Sequence, residues 1–290
     1  MRTGLTPIGL TLAAMLASIG TAAADEPRYL PPAGMTATYR VLVTVRTSGQ
    51  EHTQGQIYRV KITSNDGTIA QGTLTPLAVV FQCSDSDTSG GCKQARLLPN
   101  AHREGDLLTA PLPEEVSGAL GKIGKMTIRD LLHVTQVVPF PGPKETGDTD
   151  KPQFGTEPIS VQSTALDCDE AALKPFFPFG AAAHASVPCK MTVEVAQSRL
   201  TGLKDGKYSH DVTYDLSYAG REHVAVPAGS YEVAVIKFKS APTSGEGAVT
   251  EGEWEFVEPL GVSAKYSALT HFPNSPNTSR VVRELIKVER

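Results

Sequence analysis

The stretch KYSHDVTYDLSYAGREHVAVPAGSYEVAVIKFK, residues 207–239, decides how this chain folds. Its first part is two-faced. Tyr208, His210, Val212, Tyr214, Leu216 and Tyr218 fall on one side, and Asp211, Thr213, Asp215 and Ser217 on the other. That period-two alternation reads as a half-buried β-strand. Ala219-Gly220-Arg221 reads as a turn, with Glu222–Val226 as the returning strand. A two-residue turn would send Val224 and Val226 to the polar side. A three-residue turn pairs Tyr218 with Glu222, Leu216 with Val224 and Tyr214 with Val226. A one-residue slip moves a whole strand to the other face, so burial selects the second register. Gly220 then supplies the left-handed residue of a bulged hairpin. Pro227 has no amide to donate and ends the strand. Gly229 permits the tight bend into Tyr231–Lys239, where Val233–Phe238 is apolar on both faces, as in a central strand.

Outward from this stretch the chain is dense in strand patterns. Downstream these are Glu251–Val257, Val262–Thr270 and Val281–Val288; upstream, Lys190–Leu200. Near the start, Tyr39, Val41, Val43 and Val45 alternate with Arg40, Thr44 and Arg46, and Gln56–Ile62 repeats the pattern, so a hairpin forms around Ser48-Gly49-Gln50. Asn65-Asp66-Gly67 is a turn, and Thr68–Leu74 and Leu77–Gln82 are two further strands. Pro113, Glu114 and Glu115 open a short helix whose stripe is Val116, Ala119, Leu120 and Ile123, stopping at Gly124. A second helical turn lies near Asp169–Leu173.

The fold class expected is mainly β: curved antiparallel sheets or a half-barrel, with one or two short helices packed on the sheet. Residues 139–158, rich in Pro and Gly, bury little and resist helix and sheet. The division is then a signal peptide at 1–24, a β-rich region with a short helix at 25–138, a linker or loop at 139–158, and a C-terminal antiparallel region at 159–290. The alternative is one continuous sheet with an excursion at 139–158.

The first residues set the compartment. A basic Arg2, an apolar Ile8–Ile19 and the small residues Thr21–Ala24 follow the order of a secretory signal, with cleavage after Ala24. The apolar part is shorter than the roughly 20 residues of a membrane-spanning helix, so no integral span is expected once the signal is removed. The expected location is the periplasm or the exterior. Removing Arg2 leaves 26 basic against 31 acidic residues, a net charge of −5. That excludes a strongly basic nucleic-acid interface. Four cysteines in an exported chain pair, and four allow three connectivities. Proximity favours Cys83–Cys92 and Cys168–Cys189. A zinc site or redox pair fits poorly: there is no Cys-x-x-Cys and no His at ligand spacing.

Gly220-x-Glu222-x-Val224-x-Val226-Pro227-Ala228-Gly229-x-Tyr231, followed by Trp254, Pro259, Gly261, Lys265 and Tyr266, resembles a pattern in exported bacterial proteins that form a domain-of-unknown-function family. The resemblance covers about the last third of the chain and departs at His223, Ser230 and Glu255-Phe256. It implies a shape like that of periplasmic lipoprotein carriers, whose curved sheets fold around a helix and hold acyl chains. It implies no catalytic residues, because the shared positions are turn and core types.

The sequence offers no reaction. There is no Gly-x-Ser-x-Gly elbow, no His-Glu-x-x-His pair and no phosphate-binding Gly loop. Asp85 and Asp87 mimic part of a calcium loop but lack its terminal Glu and full ligand series. His210 reads as a partly buried member of the aromatic row. No catalytic residue, cofactor or metal ligand is assigned. The expected function is non-enzymatic binding of a lipid or other apolar ligand, or of an envelope protein. The ligand-facing residues are then Tyr214, Leu216, Val224, Val226 and Trp254, with Gly220, Pro227 and Gly229 shaping the turns. Two rivals stand beside it: an envelope assembly or structural factor acting through protein contacts, and a hydrolase whose groups meet only in the fold.

Overall fold

A computed structural model describes residues 29–47, 49–86, 90–114, 117, 122–127, 141–143, 154–158, 161–196 and 206–290. The segment expected to be a signal, 1–24, lies outside the described residues. The chain is mainly β, and its principal sheet is antiparallel, open and 13-stranded. The order along the sheet is β4 (His102–Glu104), β5 (Leu107–Pro111), β3 (Ile69–Gln82), β2 (Gln50–Asn65), β1 (Thr36–Thr47), β15 (Thr278–Glu289), β14 (Val262–His271), β13 (Val249–Val257), β12 (Gly229–Pro242), β11 (Gly206–Val226), β10 (His184–Ala196) and β9 (Val161–Cys168). A further strand, β6 (Lys122–Thr127), pairs with β3. The sheet is continuous from the first strands to the last because β1 pairs with β15, from Thr36↔Glu289 to Arg46↔Thr278.

Residues 207–239 fold in a register other than the expected one. β11 does not turn at Ala219–Arg221 but runs on to Val226. Tyr218 faces Ile236 and Gly220 faces Val235, so Ala219 is an extra residue and the site is a β-bulge. Gly220 has φ +112°, a backbone shape that suits glycine. A glycine inside a strand pattern signals either a turn or a bulge, and here the strand continues. The reversal falls instead at Pro227-Ala228, with Val226 opposite Gly229. Pro227 and Gly229 therefore do shape a turn, the tip of the β11–β12 hairpin.

The bulge changes which side chains share a face. Tyr214 and Leu216 join Ala234, Ile236, Trp254 and Phe256 in one apolar cluster. Val224 and Val226 join Val233, Val235 and Val257 in another, with Met35, Tyr39, Val41, Tyr58 and Leu285. β12 is buried on both sides, as its composition required: Val233, Ala234 and Ile236 are fully covered and Val235 nearly so. The first cluster is roofed by Leu173 of α2 (Glu170–Leu173), by Phe176 of the following 3-10 turn, and by Phe179. Asp169 caps α2 by accepting the Ala171 amide at 2.8 Å.

Three other expectations change. The strands expected at 68–74 and 77–82 are one strand, β3, with a register shift at Pro76–Ala78. Ile123 and Gly124, expected on a helix, lie in β6, with Gly124 opposite Gly72. The helix begins as expected, with the Ser117 amide donating to the Pro113 carbonyl at 2.9 Å, but 118–121 fall outside the described residues. Within the stretch expected to resist sheet, β7 (Pro141–Pro143) pairs with β8 (Phe154–Pro158) in a separate two-stranded sheet. So short a ribbon demands few amide donors, which makes its prolines tolerable.

Both cysteine pairs form: Cys83–Cys92 and Cys168–Cys189. Cys168 and Cys189 sit opposite each other on β9 and β10. Cys92 lies in the first turn of α1 (Gly90–Leu97). Cys83, Cys92, Ala95 and Leu98 are buried together, so the bridge anchors this helix to the sheet. Each closed loop contributes about 2–4 kcal/mol by restricting the unfolded chain.

The bulge predicts a specific substitution effect. A Cβ at Gly220 would meet no atom within 4 Å, so Gly220→Val tests chiefly the backbone. The expected loss is about 1–3 kcal/mol, from holding a β-branched residue at positive φ. It would be read as a lowered urea midpoint with unchanged slope. An unchanged midpoint would show that the bulge carries no backbone constraint.

Candidate functional site

Side chains on successive strands assemble an aromatic row across the sheet. Tyr214 of β11 lies 6.4 Å from Phe238 of β12, ring centre to ring centre. Phe238 stacks on Tyr266 of β14 at 5.7 Å, with the rings 12° from parallel. These two rings are two strands apart. They meet because Gly252, opposite both Phe238 and Ala268, has no side chain. A Cβ there would stand 2.8 Å from Cζ of Phe238 and 2.2 Å from the Ser267 carbonyl oxygen.

The row ends on a cation. Tyr266 faces Arg283 of β15. The Arg283 guanidinium carbon lies 5.7 Å from the Tyr266 ring centre and 5.1 Å from that of Tyr39. Tyr39 in turn lies 5.5 Å from Tyr58. Cations over aromatic faces gain from the ring quadrupole, more so away from water. Yet among the described residues no carboxylate pairs with Arg283, and its Nε is buried without an acceptor. Phe238, Tyr266 and Arg283 are each only half-buried, whereas Tyr39, Tyr58 and Tyr214 are buried.

Electrostatics keep this wall neutral apart from Arg283. Burial pushes the Tyr214 hydroxyl up to about 12, against a hydrogen bond with Ser240. Burial likewise raises Tyr39 and Tyr266, with Arg283 opposing in both. Tyr58 is raised by burial too, again against the neighbouring Arg283.

The residues expected to face a ligand divide between two clusters, Tyr214, Leu216 and Trp254 in one and Val224 and Val226 in the other. Tyr214, Leu216 and Trp254 are 5%, 3% and 5% exposed and packed under Phe176 and Phe179 or against Phe256. Val224 and Val226 sit in the other cluster. His210, expected to be partly buried in the row, is exposed. Asp85 pairs with Arg103 at 3.0 Å. Asp87 lies outside the described residues. A groove of about 490 Å³ is lined by His184, Asp215, Ser217, Lys237, Lys239 and Glu251, with Leu216, Phe238 and Gly252 at its floor. Two cross-strand rows, Asp215–Lys239–Glu251 and His184–Ser217–Lys237, set charged and polar residues along it.

Sequence reasoning missed Phe238, Tyr266 and Arg283 as one constellation. Each was visible as a strand residue, but their meeting depends on the register of β14 against β15 and on a glycine two strands from Tyr214. No local spacing encodes either.

No family model matches the chain, and no curated protein matches it. Among solved structures it is similar to a putative exported protein with a YmcC-like fold from Bacteroides fragilis, at 8% identity and a TM-score of 0.33, over 91% of this chain and 100% of that one. It is similar to the hypothetical lipoprotein YmcC from Escherichia coli at 8% identity and a TM-score of 0.34, over 90% of each chain. A putative lipoprotein from Parabacteroides distasonis stands at 7% identity and a TM-score of 0.33, over 92% of this chain and 100% of that one. Likenesses this distant carry no argument about what the chain binds or does.

The raised tyrosines predict an alkaline limit to stability. An unfolded tyrosine loses its proton near pH 10, while folded Tyr214 holds it to about 12. The folded state therefore binds more protons in that window, and stability falls as pH rises through it. Below about pH 10 the contribution is complete. Urea midpoints measured on either side of the window should drop for the wild type and drop less for Tyr214→Phe. Equal slopes in the two proteins would show that Tyr214 does not titrate late.

Proposed function

We propose that this chain is an exported, non-enzymatic binding protein of the bacterial envelope that holds an amphiphile with an anionic end. The observation carrying the reading is the half-buried aromatic wall, Phe238 stacked on Tyr266, that terminates at Arg283 with no carboxylate partner among the described residues. An apolar chain gains about 0.8 kcal/mol for each methylene it buries on such a wall. A carboxylate or phosphate at its end supplies the acceptor that the buried Arg283 Nε lacks. Export follows from the signal pattern of Arg2, Ile8–Ile19 and Thr21–Ala24.

The test compares two probes of equal chain length, a fluorescent long-chain fatty acid and the matching alcohol. The protein is the delipidated chain without residues 1–24. The wild type should bind the acid more tightly than the alcohol. Arg283→Met should weaken the acid by about tenfold or more, the cost of a lost charge-assisted hydrogen bond, and leave the alcohol unchanged. Phe238→Ala should weaken both. Failure of the wild type to bind either probe, or an acid affinity unmoved by Arg283→Met, would overturn the reading.

A further inference from the structure

The opposite face of β11–β13 gathers three acids that the amphiphile reading does not use. Glu222 lies opposite Val233, Glu255 opposite Val235 and Glu253 opposite Lys237, so all three point to one side of the sheet. The bulge at Ala219 makes this possible. Without the extra residue, Glu222 would share the face of Tyr218 and Leu216. Gly220 faces Val235, and a Cβ there would meet no atom within 4 Å.

One carboxylate oxygen from each of Glu222, Glu253 and Glu255 lies within 4.8 Å of the others. Oxygens bound to one calcium ion at about 2.4 Å can stand no more than about 4.8 Å apart, so the spacing suits a shared ion. The second observation concerns Glu255 alone. It is 8% exposed, and its Oε2 is shut from solvent with no hydrogen-bond donor. Among the described residues its Oε1 meets one cation, Lys265 Nζ, at 4.0 Å, too far for a hydrogen bond. A buried carboxylate oxygen without a donor is costly unless something else neutralises it. Burial pushes the Glu255 carboxyl up; Lys265 opposes this, and Glu222, Glu253 and Glu284 add to it. Glu284 itself is committed to Arg40 at 2.9 Å.

We propose that Glu222, Glu253 and Glu255 hold one divalent cation, calcium by preference. Three carboxylates beside one ammonium leave two negative charges, which a divalent ion cancels. The donors are all hard oxygens, which suit calcium, magnesium or manganese rather than copper or zinc. They occupy one side of the site, and exposed Glu222 leaves the other side to water. Calcium accepts such an irregular shell, whereas magnesium demands a near-ideal octahedron.

Calorimetry on the chelator-treated chain without residues 1–24 tests the site, with calcium chloride and magnesium chloride compared at constant ionic strength. The wild type should take up one calcium ion per chain, with affinity in the range up to about 1 mM seen for extracellular calcium modules, and its Tm should rise with calcium more than with magnesium. Glu222→Gln is exposed and keeps the fold, and it should weaken calcium uptake at least tenfold. Glu255→Gln should abolish the calcium shift in Tm while raising the Tm of the metal-free protein, because it removes the uncompensated buried charge. No calcium uptake by the wild type would overturn the site. Calcium uptake undiminished in both variants would overturn it equally. Neither result bears on Arg283 or the aromatic wall, which lie on the other face.

Discussion

The structure hangs on one inserted residue. In a strand, side chains alternate sides without exception, so a single extra residue exchanges the two faces for everything beyond it. Ala219 is that residue in β11. Before it, Tyr214 and Leu216 build the core under Phe176 and Phe179; after it, Val224 and Val226 build the core shared with β1, β2 and β15. The same exchange carries Glu222 round to the face of Glu255. A flat ladder with two uniform faces would have one apolar side to cover. This one has apolar surface on both sides of its middle strands, and a separate cluster covers each.

Much of the fold was legible from the chain. The alternation of Tyr39–Arg46 and Gln56–Ile62 is a hairpin in the structure, and the last three strands fall where Glu251–Val257, Val262–Thr270 and Val281–Val288 indicated. Both disulfides join sequence neighbours. What was not legible was the meaning of Gly220. Ala-Gly-Arg between two alternating runs is as consistent with a reversal as with a bulge, and burial of the even-numbered residues on one side favoured the reversal. The contest was settled by β12, which offers apolar residues on both faces and so can pair with a strand that changes sides. The candidate site was harder still. Tyr214 was visible, but Arg283 looks like any charged residue of an amphipathic strand until Tyr39 and Tyr266 are placed beside it.

The glycines and the aromatics of the sheet act together. Phe238 reaches Tyr266 only across the bare backbone of Gly252. Gly261, at φ +65°, lets the β13–β14 turn come so close to Leu30 that a Cβ would stand 2.4 Å from its carbonyl. Tyr29 then packs edge-on against Phe177 and Phe179 at 4.8 and 5.4 Å. The segment ahead of β1 thus touches the roof of the first core, while Met35 belongs to the second. Aromatic pairs in such geometries add about 0.5–1.5 kcal/mol each beyond their burial.

The pairing of β1 with β15 has a consequence in time. Arg40 and Glu284, joined across that seam, are 244 residues apart in the chain. As the polypeptide emerges from its N-terminal end, β1 and β2 form early but leave one long edge of β1 without a partner. That edge stays open until the very last strand arrives. Sheets built from such distant pairings close slowly, and their waiting edges invite other chains. The seam therefore sets a period of vulnerability during synthesis, which lasts until β15 takes its place beside β1.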